Sequence, residues 1–189
     1  MVAREVQFRL HMIRAGVLTT WAIAGFGVLY LLTTWSGPHR TLLLAIAGAA
    51  CLDALTISRL PWRRLIEKGV CERFLLGWNI AHIVVATVMC LLDGGASSPF
   101  MSIYFISAAF AAGSLPRGMV ITVAALDVAA VLSLALAEGA FKGPSIVWSG
   151  TLVVLAGVCA TIAQDRAERS AALQAANEQV PRHLARVVE

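Results

Sequence analysis

Three ionisable residues, Asp53, His82 and Asp127, stand inside long apolar stretches of this chain. A charge in hydrocarbon costs at least a few kcal/mol, so each must be paired, hydrogen-bonded or put to use. At about 1.5 Å per helical residue, His82 lies roughly 12 Å from the end of its stretch and Asp127 roughly 14 Å from the matching end of its own. The matched depths predict a His82–Asp127 contact, with Asn79 one turn from His82 on the same face. A histidine in such a pair can titrate near physiological pH, which would make a proton- or ligand-responsive polar core. A structural clamp is the plainer alternative, because mutual hydrogen bonding satisfies both groups without any ligand. Asp53 sits roughly 8 Å from its end, where Arg59 or Arg73 could pair with it.

A fourth acid, Asp93, belongs to the polar interruption "LLDGGASSPFMSIYF". Asp93-Gly94-Gly95 has the permissive backbone of a tight turn, Ser98 can cap the helix that follows, and Pro99 suits its first turn. Asp93 itself faces the negative end of the preceding helix, so it is expected either to bond back to the turn amides or to meet an extracytoplasmic ligand.

The elements that must position these residues follow from composition. The 189 residues are 59% hydrophobic and only 14% charged, with mean hydropathy +0.79, far from the balance of a soluble domain. Charge-free or nearly charge-free runs mark six spans: Ala15–Trp35, Thr41–Ser58, Phe74–Leu92, Pro99–Leu115, Gly118–Ala137 and Ser145–Ala163. The expected fold class is therefore an all-α integral membrane protein, a six-transmembrane-helix bundle over residues 15–163. A cytoplasmic segment, residues 1–14, precedes it, and a cytoplasmic signalling helix, residues 164–189, follows.

Of the 15 Lys and Arg, all but Arg40 and Lys142 fall on one side of this map, which predicts cytoplasmic N- and C-termini in a bacterial inner membrane. The net charge of +4 is thereby explained by topology, and no nucleic-acid partner is expected. Trp35, Trp62, Trp78 and Trp148 lie at or near span ends, as interfacial anchors would. The stretch Pro61-Trp62-Arg63-Arg64-Leu65-Ile66 suits a short turn on an anionic leaflet. Small residues cluster at Ala22, Ala24, Gly25 and Gly27, at Ala45 to Ala50, at Ala108 to Gly113, and at Gly150 and Gly157. They predict faces where helices approach closely, inside the bundle or at a homodimer seam. Cys51, Cys71, Cys90 and Cys159 are isolated and the four histidines are scattered, so neither a metal site nor a cofactor is expected.

The tail is charged and helix-prone up to Val180. Leu173, Asn177, Val180, Leu184 and Val187 recur at coiled-coil spacing, with Asn177 placed to fix register and Pro181 to kink the helix. The alternative is an amphipathic tail lying on the membrane.

Pro38-His39-Arg40, the Asp93–Phe100 turn before "IYFISAAFAA", and Pro116-Arg117 together resemble the multi-span N-terminal input domains of bacterial signalling proteins. Such domains stand before GGDEF diguanylate cyclases or sensor histidine kinases. "VPRHLARVVE" resembles the approach to class III adenylyl cyclase domains. The resemblance covers roughly residues 1–165 and implies a tail that carries conformational change to a cytoplasmic output domain, relayed through Leu173, Asn177 and Val180. No GGDEF-like loop, phosphoacceptor box or nucleotide-binding signature occurs in these residues. The chain is expected to be non-catalytic: an input module alone, or the input part of a protein whose output follows Glu189. It would be a dimeric sensor and anchor in the lipid bilayer, open to a small-molecule or lipid ligand. A small six-span transporter or proton-coupled permease is the alternative; it would use Asp53 and Asp127, but no three-plus-three repeat with matched helix breaks is present. An intramembrane enzyme would need a matched nucleophile, base and oxyanion donors, which the sequence does not supply.

Overall fold

In a bilayer every backbone N–H and C=O must be satisfied within the segment, so long apolar runs become helices and proline is confined to their ends. The computed structural model, which describes residues 2–137, 147–148, 150–155, 157–165, 168–169 and 171–172, follows that rule. Its helices are α1 (Val2–Thr33), α2 (Arg40–Ser58), α3 (Trp62–Glu67), α4 (Cys71–Leu92), α5 (Ser102–Ser114) and α6 (Arg117–Ala137). Another, α7, runs over Gly150–Asp165. Pro38 lies in the α1–α2 link, Pro61 caps α3, Pro99 opens a 3-10 turn and Pro116 precedes α6. Among the described residues all regular structure is helical.

Four helices are long and apolar enough to cross a membrane: α1 over Arg9–Thr33, α2, α4 and α6. The other two expected spans correspond to shorter apolar helices, Pro99–Ser114 and Gly150–Asp165. The fourth stretch is shortened because two 3-10 turns, Gly95–Ser97 and Pro99–Met101, occupy its entrance. At the N-terminus the difference is of opposite sign. α1 begins at Val2, so residues 2–14 continue the same helix that carries the first apolar span, with Ile13 already buried. Leu173, Asn177 and Val180, named as the relay, lie outside the described residues.

α1 and α4 run parallel. Arg9 meets Glu72 at 2.8 Å at one end, and Tyr30 meets Asp93 at 3.0 Å at the other. α2 packs mainly on α1, while α4, α5 and α6 pack on one another. The interior holds Leu31, Leu43, Met101, Tyr104, Val123 and Leu134, and the outside is just as apolar: Phe26 is 73% and Leu52 67% exposed. A surface of that kind belongs in lipid.

Close approach of α1 to α5 is made by glycine. A Cβ at Gly16 would run into the Phe110 ring, one at Gly113 into Met12, and one at Gly27 would stand 3.3 Å from Phe100. The expected small-residue faces are only partly used: Ala24, Ala47, Ala108, Ala111 and Ala112 are buried, whereas Gly25 and Gly48 meet open space. All four cysteines are free thiols, and Cys71, Cys90 and Cys159 are buried as small apolar fillers.

Candidate functional site

Among the described residues, the hairpin at Asp93 is a heavily bonded polar point. Gly94 and Gly95 take φ of 103° and 66°, the left-handed conformations that an Asp-Gly-Gly turn permits, and Ser98 Oγ accepts from Phe100 N at 3.2 Å as a cap. The turn aims the Asp93 side chain inward, onto polar groups of neighbouring helices. Its side chain is 1% exposed and is ion-paired with Arg40, itself 8% exposed. Tyr30 Oη donates to Asp93 Oδ2 at 3.0 Å and Ser98 Oγ donates to the same oxygen at 2.8 Å. Arg40 Nε donates to Thr34 O at 2.8 Å, and the guanidinium carbon lies 5.3 Å from the centroid of the Tyr30 ring. Gly37 makes room for that guanidinium, since a Cβ there would strike it. One buried ion pair thus ties the C-terminal ends of α1 and α4 to the start of α2 and the entrance of α5.

A second polar group lies within the bundle. Asn79 Nδ2 donates to Leu75 O at 3.0 Å, and Asn79 Oδ1 accepts from Ser107 Oγ at 3.3 Å. Asp127 is 0% exposed, and neither of its carboxylate oxygens has a hydrogen-bond partner among the described residues. Ser107 is the polar side chain that interacts with it, but the hydroxyl proton is directed to Asn79. Nearby, Thr87 Oγ1 donates to Ile83 O at 2.7 Å, so the Tyr104 hydroxyl, 2.8 Å away, donates to Thr87.

The expected His82–Asp127 contact is not formed. His82 points to the α1 side of α4, with Nδ1 2.9 Å from Trp78 O. A carbonyl can only accept, so Nδ1 carries the proton and Nε2 is what a neutral ring can offer elsewhere. Asn79, not His82, turns towards α5. Asp53 also differs from expectation: it pairs with neither Arg59 nor Arg73 but accepts the indole N–H of Trp78 at 2.8 Å. Trp78 is therefore no interfacial anchor; it is buried, and its ring stands edge-on to His82 and Phe110.

Between α1, α4 and α5 lies a cavity of about 230 Å³. Its walls include Met12, Ile23, Ile106 and Phe110, and its polar lining includes Asn79, His82 and Ser107. An apolar pocket with a few convergent polar groups is the usual form of a small-molecule site. Of the sequence-predicted residues, Asn79 and His82 line it, Asp127 stands behind Ser107, and Asp53 and Asp93 lie elsewhere, each in its own hydrogen-bonded setting. Ser107 was missed by sequence reasoning; its signal is a hydroxyl midway along the apolar, alanine-rich α5, where a polar atom needs a partner. Among the described residues no three His, Cys, Asp or Glu side chains converge as a metal site requires. Comparison with protein-family models, curated proteins and solved structures returned no match for this chain.

Proposed function

We propose that this chain is a membrane-embedded, non-catalytic sensory and anchoring module whose α1/α4/α5 cavity takes a small amphipathic molecule or a proton. Its six apolar helices would place both termini in the cytoplasm. The last helix, through Leu173, Asn177 and Val180, would pass the response to an output domain of the diguanylate cyclase, histidine kinase or class III adenylyl cyclase type, in a homodimer. The observation that carries this reading is the apolar cavity closing on Asn79 and Ser107, with an unpartnered buried carboxylate behind them. A ligand biases such a bundle only if it binds one helix arrangement better than another. A hydroxyl or amine entering the cavity would compete for Asn79 Oδ1 and free Ser107 to donate to Asp127, which gives the bound state a hydrogen bond the empty one lacks.

The test is a fusion of the whole chain to a diguanylate cyclase reporter. Asn79→Leu and Ser107→Val are expected to fix the output at one level while leaving membrane insertion intact. Response to growth conditions indistinguishable from wild type in both variants would remove the cavity from the mechanism. The buried carboxylate also favours a second reading, a proton-coupled permease, in which Asp127 carries the proton. That reading requires flux of protons or solute in proteoliposomes, lost in Asp127→Asn.

A further inference from the structure

At the end of the bundle opposite the Arg40–Asp93 pair, the first half of α1 and the α2–α3 corner enclose a groove of about 780 Å³. Leu10, Ile13, Val17 and Leu60 line it with apolar surface, and Arg14 and Arg64 border it. The corner is held firmly: Trp62 is buried, its indole N–H donates to Ile57 O at 2.8 Å, and its ring stands edge-on to Phe74 at 5.4 Å.

The charges around the groove are unequal in kind. Arg63 is compensated by Glu67 at 3.3 Å. Arg14 and Arg64 are exposed, and neither guanidinium has a hydrogen bond or ion pair among the described residues. Two uncompensated cations flanking an apolar trough that follows α1 for about 12 Å, from Leu10 to Leu18, match an anion attached to a hydrocarbon chain. A free phosphate would use the cations and leave the trough empty; a zwitterionic lipid would fill the trough but bring its own ammonium against the arginines.

We propose that this groove is a binding site for an anionic glycerophospholipid, with the phosphodiester between Arg14 and Arg64 and an acyl chain along Ile13 and Val17. The inference needs only that the bundle lies in a bilayer, and it stands or falls separately from the sensory reading of the cavity.

The experiment is native mass spectrometry of the full chain released from dodecylmaltoside, titrated with dioleoyl phosphatidylglycerol or dioleoyl phosphatidylcholine. At about fivefold per guanidinium, wild type should retain the first phosphatidylglycerol roughly 30-fold more tightly than phosphatidylcholine, and Arg14→Gln/Arg64→Gln should bring the ratio close to one. Lys68→Gln/Arg73→Gln, which removes two cations that do not line the groove, should leave the ratio within about twofold of wild type. Equal loss in both double variants would mean a diffuse charge effect and overturn the site. Displacement of the first lipid by millimolar inorganic phosphate would overturn it in favour of a phosphate site. Should the Arg14/Arg64 variant fail to insert, wild type decides alone. A phosphatidylglycerol carrying a diazirine on its acyl chain should label Leu10–Leu18 and Leu60–Glu67, and labelling spread over all helices at that depth refutes the proposal.

Discussion

Asp93→Ala should be the most damaging single substitution in the described fold. The carboxylate is 1% exposed and receives Arg40, Tyr30 and Ser98, so its removal strands a guanidinium that is 8% exposed and leaves two hydroxyls without an acceptor. Breaking a buried pair on one side costs about 3–5 kcal/mol, because the surviving charge stays desolvated. Arg40 keeps two compensations, Thr34 O at 2.8 Å and the Tyr30 ring at 5.3 Å, which argue for the lower half of that range. Removing both charges is a different perturbation: Arg40→Met/Asp93→Leu leaves no stranded ion, and the double variant should lie within about 1–2 kcal/mol of wild type. The assay is reversible unfolding of the purified protein in mixed dodecylmaltoside and dodecyl sulfate micelles, followed by circular dichroism, with a double-mutant cycle over the four proteins. A coupling below about 0.5 kcal/mol, or an Asp93→Ala cost below about 1 kcal/mol, would show that the pair is wet and that the tie between α1, α2, α4 and α5 is not made here.

Three further outcomes can be read in the same assay. Gly16→Val should cost about 1–3 kcal/mol by driving Phe110 out of its contact with α1, while Gly25→Val on the same helix, where a Cβ meets nothing, should stay within about 0.5 kcal/mol of wild type; equal costs would refute the glycine contact. Asp127→Asn keeps the side chain's shape while relieving an unpartnered buried acid, so unfolding free energy should be unchanged or raised by about 1 kcal/mol; a clear loss would mean that the carboxylate holds a partner. Trp78→Phe should cost about 1–2 kcal/mol by taking the indole donor from Asp53, and adding Asp53→Leu should recover part of the loss.

The helices that proline and charge delimit were legible. Thr41–Ser58, Phe74–Leu92 and Gly118–Ala137 differ from α2, α4 and α6 only by a few residues at their N-terminal ends. Ser98 and Pro99 were legible too, because cap and first-turn chemistry is local. The early start of α1 was hidden by its arginines, which mark the limit of hydrocarbon but not of a helix. The pairing of polar groups was not legible for a geometric reason. Counting residues fixes depth, yet a contact also needs the right direction around each axis. Asn79 and His82 differ by about 60° around α4, enough to turn one to Ser107 and the other back to Trp78 O, on different walls of the cavity that both line. Tyr30, Arg40 and Asp93 share an end of the bundle and were separable only by knowing which helices are neighbours.

Arg40 leaves the ribosome 53 residues ahead of the aspartate that neutralises it. While the nascent chain holds only the α1–α2 hairpin, that cation has just the Tyr30 ring and a carbonyl for company, and it is expected to stay solvated. Arrival of α4 supplies the carboxylate, buries the guanidinium and sets the seating of α2 after the fact. The expected consequence is a delay in assembly: a chain stalled before Asp93 should leave the Arg40 guanidinium open to modification by phenylglyoxal, which the finished protein, with Arg40 buried, resists.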